Sequence, residues 1–205
     1  MKKINSNKRF KIFITLAGIS VLFLIINSFQ SCTLSRNMTR DKATEIASFR
    51  NWAQPITLAG LPNLYKVSDN LYRGAQPTKE GFKNLKQLGI KTIINLREFH
   101  SDKSQIPDSN FIYVSIDTAT WDIKDNEVSR FLQAVRDKDK QPVFVHCKYG
   151  SDRTGLMCAV YRITVDGWSK QQAIDEMTRG GFGYHPAWHN LITYIQKFDP
   201  NKLSP

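Results

Sequence analysis

The stretch Pro142-Val143-Phe144-Val145-His146-Cys147-Lys148-Tyr149-Gly150-Ser151-Asp152-Arg153-Thr154-Gly155 decides how this chain folds and where its chemistry sits. Pro142 to Val145 is an apolar run of strand length. The run from Arg153 through Leu156, Met157, Cys158, Ala159, Val160 and Tyr161 to Arg162 reads as a helix. Between them lies a tight loop with Cys147 at one end and Arg153 at the other. A loop that feeds a helix N-terminus offers convergent backbone N–H groups and the positive end of the helix dipole, a ready seat for a phosphate. The same field favours a thiolate, and thiolate rather than thiol is the nucleophile. Arg153 adds a planar fork of donors that matches two phosphate oxygens.

Working outward, residues 64–67 and 70–73 flank Ser68-Asp69 and read as a small hairpin. Thr78 is placed to cap a helix over residues 79–88, with Phe82, Leu85 and Leu88 on one face, ended by Gly89. Residues 92–96 and 111–116 are strand candidates, separated by a polar loop over 100–110. A helix is expected from Asp125 to Arg136, with Val128, Phe131, Leu132 and Val135 facing the core. Ser169 and Gln172 form a capping box for a helix to Thr178. Pro186 suits the first turn of a last helix bearing Trp188, Leu191, Ile192 and Ile195. Strands alternating with helices predict an α/β fold, a three-layer sandwich around a mostly parallel central sheet.

The pattern His146-Cys147-Lys148-x-Gly150-x-x-Arg153-Thr154-Gly155 resembles the cysteine-based dual-specificity and tyrosine protein phosphatases, specifically bacterial exported members. The resemblance extends over residues 64–198 and includes Leu71-Tyr72-Arg73-Gly74-Ala75-Gln76-Pro77 and Gly180-Gly181-Phe182-Gly183. It implies a protein-tyrosine phosphatase, acting also on phosphoserine or phosphothreonine, with Cys147 as nucleophile and a phosphocysteine intermediate. The phosphate would be held by Lys148, Tyr149, Gly150, Ser151, Asp152 and Arg153. His146 would orient the loop, and Thr154 would ease departure of the thiolate. The chemistry requires no metal and no cofactor.

The departing alkoxide needs a proton, so a carboxylic acid is expected from another loop. The family places it after the strand that precedes the catalytic one. Asp117, Asp122 and Asp125 lie there, and Asp122 is favoured because Trp121-Asp122 sits mid-loop; Asp117 stands at the strand end and Asp125 suits a helix cap. Lys148 also resembles the lysine of inositol-phosphate and phosphoinositide phosphatases, so the alternative substrates are phosphoinositides, inositol phosphates or other phospholipids. A phosphate-binding pseudophosphatase module is the alternative from another class. It would require a lost catalytic group, and both Cys147 and Arg153 are present.

The chain has 205 residues and a net charge of +11. Five of the basic residues (Lys2, Lys3, Lys8, Arg9, Lys11) precede an uncharged apolar run of 18 residues, Ile12 to Phe29. As a helix that run would span about 27 Å, close to a bilayer core. Residues 1–31 are therefore read as a membrane anchor or signal segment, with the basic flank cytoplasmic and the catalytic domain on the periplasmic side. Ser31-Cys32 also resembles the end of a lipoprotein signal. A spacer is expected over 32–60, the phosphatase domain over 61–200 and a tail over 201–205. No basic run with interleaved aromatics points to nucleic acid; the partners expected are a phosphorylated protein, an anionic phosphorylated small molecule or lipid, and the membrane. Three cysteines make no disulfide framework. Cys158 is expected as a small buried residue, or else as a partner that traps oxidised Cys147.

Overall fold

The computed structural model describes residues 51–106 and 111–203. Its elements are β1 (Gln54–Pro55), β2 (Tyr65–Lys66), β3 (Leu71–Gly74), α1 (Lys79–Gln87), β4 (Thr92–Asn95), β5 (Ile112–Ser115), α2 (Asp125–Arg136), β6 (Val143–His146), α3 (Asp152–Thr164), α4 (Lys170–Arg179) and α5 (His189–Lys197). Six strands form one sheet in the order β1-β2-β3-β6-β4-β5. The block β3-β6-β4-β5 is parallel, whereas β1 and β2 join antiparallel. The α/β architecture is as expected, and the sheet is mixed.

Every residue of β6 is buried, because this central strand is covered on both faces and so shows no alternation of polar and apolar residues. On one face Ile93 and Phe144 pack with Phe82 and Leu85 of α1. On the other, Ile94, Val143 and Val145 meet Val128, Phe131 and Leu132 of α2 and Met157 and Val160 of α3. Each such large apolar side chain taken from water contributes about 1.5–3 kcal/mol. Helix α3 is buried on nearly all sides, because Leu156 and Ala159 also pack with Ala173 and Met177 of α4 and Leu191 and Ile195 of α5.

Local signals explain the element ends. The Thr78 side chain accepts a hydrogen bond from the Gly81 N–H, and Gly89 takes a left-handed φ of +80° just after α1. Ser169 and Gln172 form the reciprocal capping box of α4. The last helix departs from expectation. Pro186 lies in a turn before α5, in which the Trp188 N–H bonds to the His185 carbonyl, 3.0 Å, and the helix begins at His189.

The folded unit also begins earlier than residue 61. β1 pairs with β2, and the Ala53 N–H bonds to Glu176 Oε1 at 2.7 Å, so residues 51–60 belong to the domain and not to a spacer. Residues 1–50, with the apolar run and Cys32, lie outside the described residues. Among the described residues no helix is long and apolar enough to cross a membrane.

The register sets the site. Gly74 and Asn95 both stand opposite His146, and Ser115 stands opposite Asn95. The loops that leave β3, β4, β5 and β6 therefore emerge at one level along the carboxyl edge of the sheet, where open α/β sheets bind their ligands.

Candidate active site

Cys147 follows the last residue of β6 and is buried, with the loop curling over it into α3. Lys148 and Tyr149 point outward and are exposed. Gly150 turns the chain with φ +74°, and a Cβ there would stand 2.5 Å from the Gly74 carbonyl carbon. Both the left-handed backbone and the close approach to β3 require glycine. Beneath the loop, Arg73 Nη2 donates to the Gly150 carbonyl at 2.6 Å and to the Ser151 carbonyl at 3.4 Å, while its guanidinium lies 3.7 Å above the Phe182 ring. Arg73 is thus an anchor of the loop.

The rest of the loop is tied to the Gly180-Gly181-Phe182-Gly183 turn. The Ser151 hydroxyl donates to the Phe182 carbonyl at 2.8 Å, and Asn63 Nδ2 donates to the carbonyls of Phe182 and Tyr149, each at 2.9 Å. Asp152 accepts the His185 N–H at 2.9 Å, and its second oxygen lies 2.8 Å from His185 Nδ1. Asp152 is therefore a brace for the loop, with His185 paired to it. An open groove of about 400 Å³ runs beside the loop, lined by Asn63, Tyr149, Ser151, Gly181, Phe182 and His185.

Arg153, in the first turn of α3, reaches across the carboxyl edge of the sheet. Its Nη1 donates to the carbonyls of Leu96, after β4, and Thr118, after β5, each at 3.3 Å. The structure thus brings the β5–α2 loop, residues 116–124, to the phosphate loop. Of the three aspartates there, Asp125 opens α2 and accepts the Tyr194 hydroxyl at 2.7 Å, as befits a helix start. Asp117 is exposed and accepts from Ser115 Oγ at 3.1 Å. Asp122 is exposed beside Trp121 and forms an ion pair with Lys124. Asn190 of α5 holds this loop through the Thr120 carbonyl at 2.8 Å.

Thr154 is wholly buried, and its hydroxyl makes no hydrogen bond among the described residues, which leaves it uncommitted next to the loop. Cys158 is buried within α3, and burial pushes its thiol up to about 11. That direction disfavours the thiolate that would attack oxidised Cys147, and the side chain packs in the core.

One residue beside the site carried no sequence signal. Asp102, in the loop after β4, is fully buried with Oδ2 2.9 Å from His146 Nε2. That approach lies off the ring N–H direction, so the contact is one of charge more than an aligned hydrogen bond. Burial pushes the Asp102 carboxyl up, but His146, with Gln76 and His100, outweighs it and holds the carboxyl below the usual carboxylate range.

A buried cysteine, an arginine in the first turn of the following helix and a glycine-turned loop on a cationic base are the parts of a cysteine-dependent phosphatase. Residues 42–186 match the family model described as DSP-PTPase phosphatase fused to NAD+ kinase, and the chain belongs to this dual-specificity phosphatase family. The dual specificity protein phosphatase TpbA of Pseudomonas aeruginosa (strain UCBPP-PA14) is 35% identical over 164 residues, covering 78% of this chain and 74% of that one. A crystal structure of a Cys-to-Ser form of P. aeruginosa TpbA in complex with pTyr aligns with a TM-score of 0.67 at 33% identity, covering 75% of this chain and 93% of that one. Inositol diphosphatase DSP5 of Arabidopsis thaliana is 30% identical over 152 residues, covering 69% of this chain and 72% of that one.

Proposed function

We propose that this phosphatase hydrolyses phosphotyrosine in proteins, and phosphoserine or phosphothreonine more slowly, through a phosphocysteine at Cys147. The loop built on Arg73 carries the reading, because it holds Cys147 just after β6 and Arg153 in the first turn of α3, the two ends of a loop of phosphate-binding form. The Cys147 sulfur attacks phosphorus while the bond to the leaving oxygen breaks. Loop amides and Arg153 hold the equatorial oxygens, and Asp122 delivers a proton to the leaving oxygen. Water then attacks the phosphocysteine, the P–S bond breaks, and the Asp122 carboxylate takes the proton of the water. Thr154 steadies the departing thiolate. Asp122 must leave Lys124 to act, and its position mid-loop allows that swing.

The pTyr-bound relative and the groove beside Tyr149 and His185 support an aryl phosphate. A second reading, inositol phosphates, draws on the inositol diphosphatase relative and on exposed Lys148, which adds a cation next to the nucleophile. Phosphate release by the full chain, with Cys147→Ser as background, decides between them. Faster release from phosphotyrosine peptides than from inositol phosphates and diphosphates supports the first reading; the reverse order promotes the second.

Asp122→Asn is expected to lower turnover of phosphoserine peptides ~10²–10³-fold. A nitrophenyl phosphate, whose leaving group needs little protonation, should lose far less, and the decline of rate at high pH should disappear. If Asp117→Asn shows this pattern instead, the acid is Asp117.

The apolar run from Ile12 to Phe29 supports anchoring or export, with the catalytic domain on the periplasmic side. A domain recovered outside the cytoplasm, membrane-bound and open to external protease or released as a soluble form, supports this; a domain kept in the cytoplasm refutes it.

A further inference from the structure

We propose that Asp102 is a positioning residue for the nucleophile, acting through His146 to set how much of Cys147 stands ready as thiolate. The inference rests on the cysteine-nucleophile reading above and adds a residue to it that is 45 positions distant in sequence from Cys147.

The observations form one connected set. His146 ends the central strand, is fully buried, and stacks on Phe144 with ring centroids 5.6 Å apart. Its two ring nitrogens both face oxygen acceptors: Nε2 lies 2.9 Å from Asp102 Oδ2, and Nδ1 lies 3.3 Å from the Cys147 carbonyl. The Asp102 carboxylate and the Cys147 carbonyl both stabilise positive charge on this ring, and positive charge held next to Cys147 in a dry interior favours the thiolate. Asp102 would balance that charge, so that no lone cation is buried.

The fold spends several groups on keeping that carboxylate in place and ionised. Gln76 Nε2 donates to Asp102 Oδ1 at 2.7 Å, and Arg97 Nη1 in turn donates to Gln76 Oε1 at 2.8 Å. From β5 the Tyr113 hydroxyl accepts the Asp102 N–H at 3.0 Å and stands 3.4 Å from Oδ2, while Asn95 of β4 donates to that hydroxyl at 2.9 Å. His100, at 3.7 Å from Oδ1, is the remaining titratable neighbour and is outside hydrogen-bond reach. Gln76 also links the set to the loop itself, its N–H reaching the Lys148 carbonyl at 3.3 Å. A buried loop aspartate with this many partners is more than a fold staple, since its charge faces the one imidazole that touches the nucleophile's own peptide.

The test reads the thiolate directly. Alkylation of Cys147 by iodoacetamide is followed against pH in the full chain, with Cys147→Ser subtracting reaction at other cysteines. In Asp102→Asn the rate at about pH 5.5 is expected to fall ~10-fold, the equivalent of one unit of displacement, with little change near pH 9. Asp102→Glu, which keeps the charge, should recover part of the loss. If Asp102→Asn does not fold, His146→Gln gives the same readout, because the loss must appear whichever member of the pair is removed. A folded Asp102→Asn or His146→Gln chain with the parent pH profile overturns the proposal, as does a loss that is equal at all pH values. Failure of the nucleophile reading looks different: phosphate release would survive in Cys147→Ser, whatever the alkylation profile shows.

Discussion

Cys147→Ser is expected to reduce phosphate release by on the order of 10⁴-fold or more, while the chain still binds phosphate or a phosphopeptide. The expectation follows from where the parts of the site reside. The proposed seat for the anion is made of backbone N–H groups and Arg153 on a loop braced by Arg73, Ser151 and Asp152, and none of these braces depends on the sulfur. A serine hydroxyl occupies nearly the same volume, so the loop should keep its shape. What disappears is the sulfur nucleophile, since an aliphatic hydroxyl holds its proton far more tightly than a thiol does. Binding measured by calorimetry beside turnover measured by phosphate release separates the two. Turnover within tenfold of the parent would dismiss the phosphocysteine route, and lost binding would mean that the thiolate itself shapes the seat.

Glu176→Ala should cost about 3–5 kcal/mol of folding stability, the usual penalty for stripping one partner from a buried ion pair. Arg162, on α3, donates from Nε at 2.9 Å to Glu176 Oε2 and from Nη2 at 2.7 Å to Oε1. Burial works against the arginine's charge, yet Glu176 and then Asp166 hold its pKa above the ordinary range. Asp166, at 2.8 Å and partly exposed, and the Trp168 ring, 4.3 Å away, would remain after the substitution, but neither replaces the two bonds to Glu176. The loss extends further. The Ala53 N–H would be orphaned at the start of the domain, and the carbonyl of Asn51 shares Arg162 Nη2 at 3.1 Å. A Tm roughly 6–20 °C lower is expected for a domain of this size. A drop below about 1 kcal/mol in denaturant titration would show that Asp166 and Trp168 carry the arginine unaided.

Much of this architecture was legible because the deciding signals are local. The four apolar residues before His146, the cap at Thr78, the capping box at Ser169 and the helix from Asp125 each announce themselves within a few positions. Three features did not. β1 is two residues of exposed chain, one of them proline, and has no pattern; it joins the sheet by pairing with β2 beside the bond from Ala53 to Glu176, 123 positions away. Pro186 matched a helix-start rule, but Asp152 draws the His185 N–H toward the phosphate loop and delays α5 until His189. Asp102 sat among polar loop residues, and only the folding of that loop onto β4 and β5 buries it against His146. In each case the decisive contact joins distant parts of the chain.

A peptide unit is rigid and trans, so its carbonyl and its N–H point in opposite directions. By drawing the Gly150 and Ser151 carbonyls inward, Arg73 aims the N–H groups of Ser151 and Asp152 the other way, toward the mouth of the loop. The polarity of the proposed anion seat is thus fixed by a cation bound to the opposite ends of its peptides. Attraction is exerted on one end of each dipole, and recognition is displayed at the other.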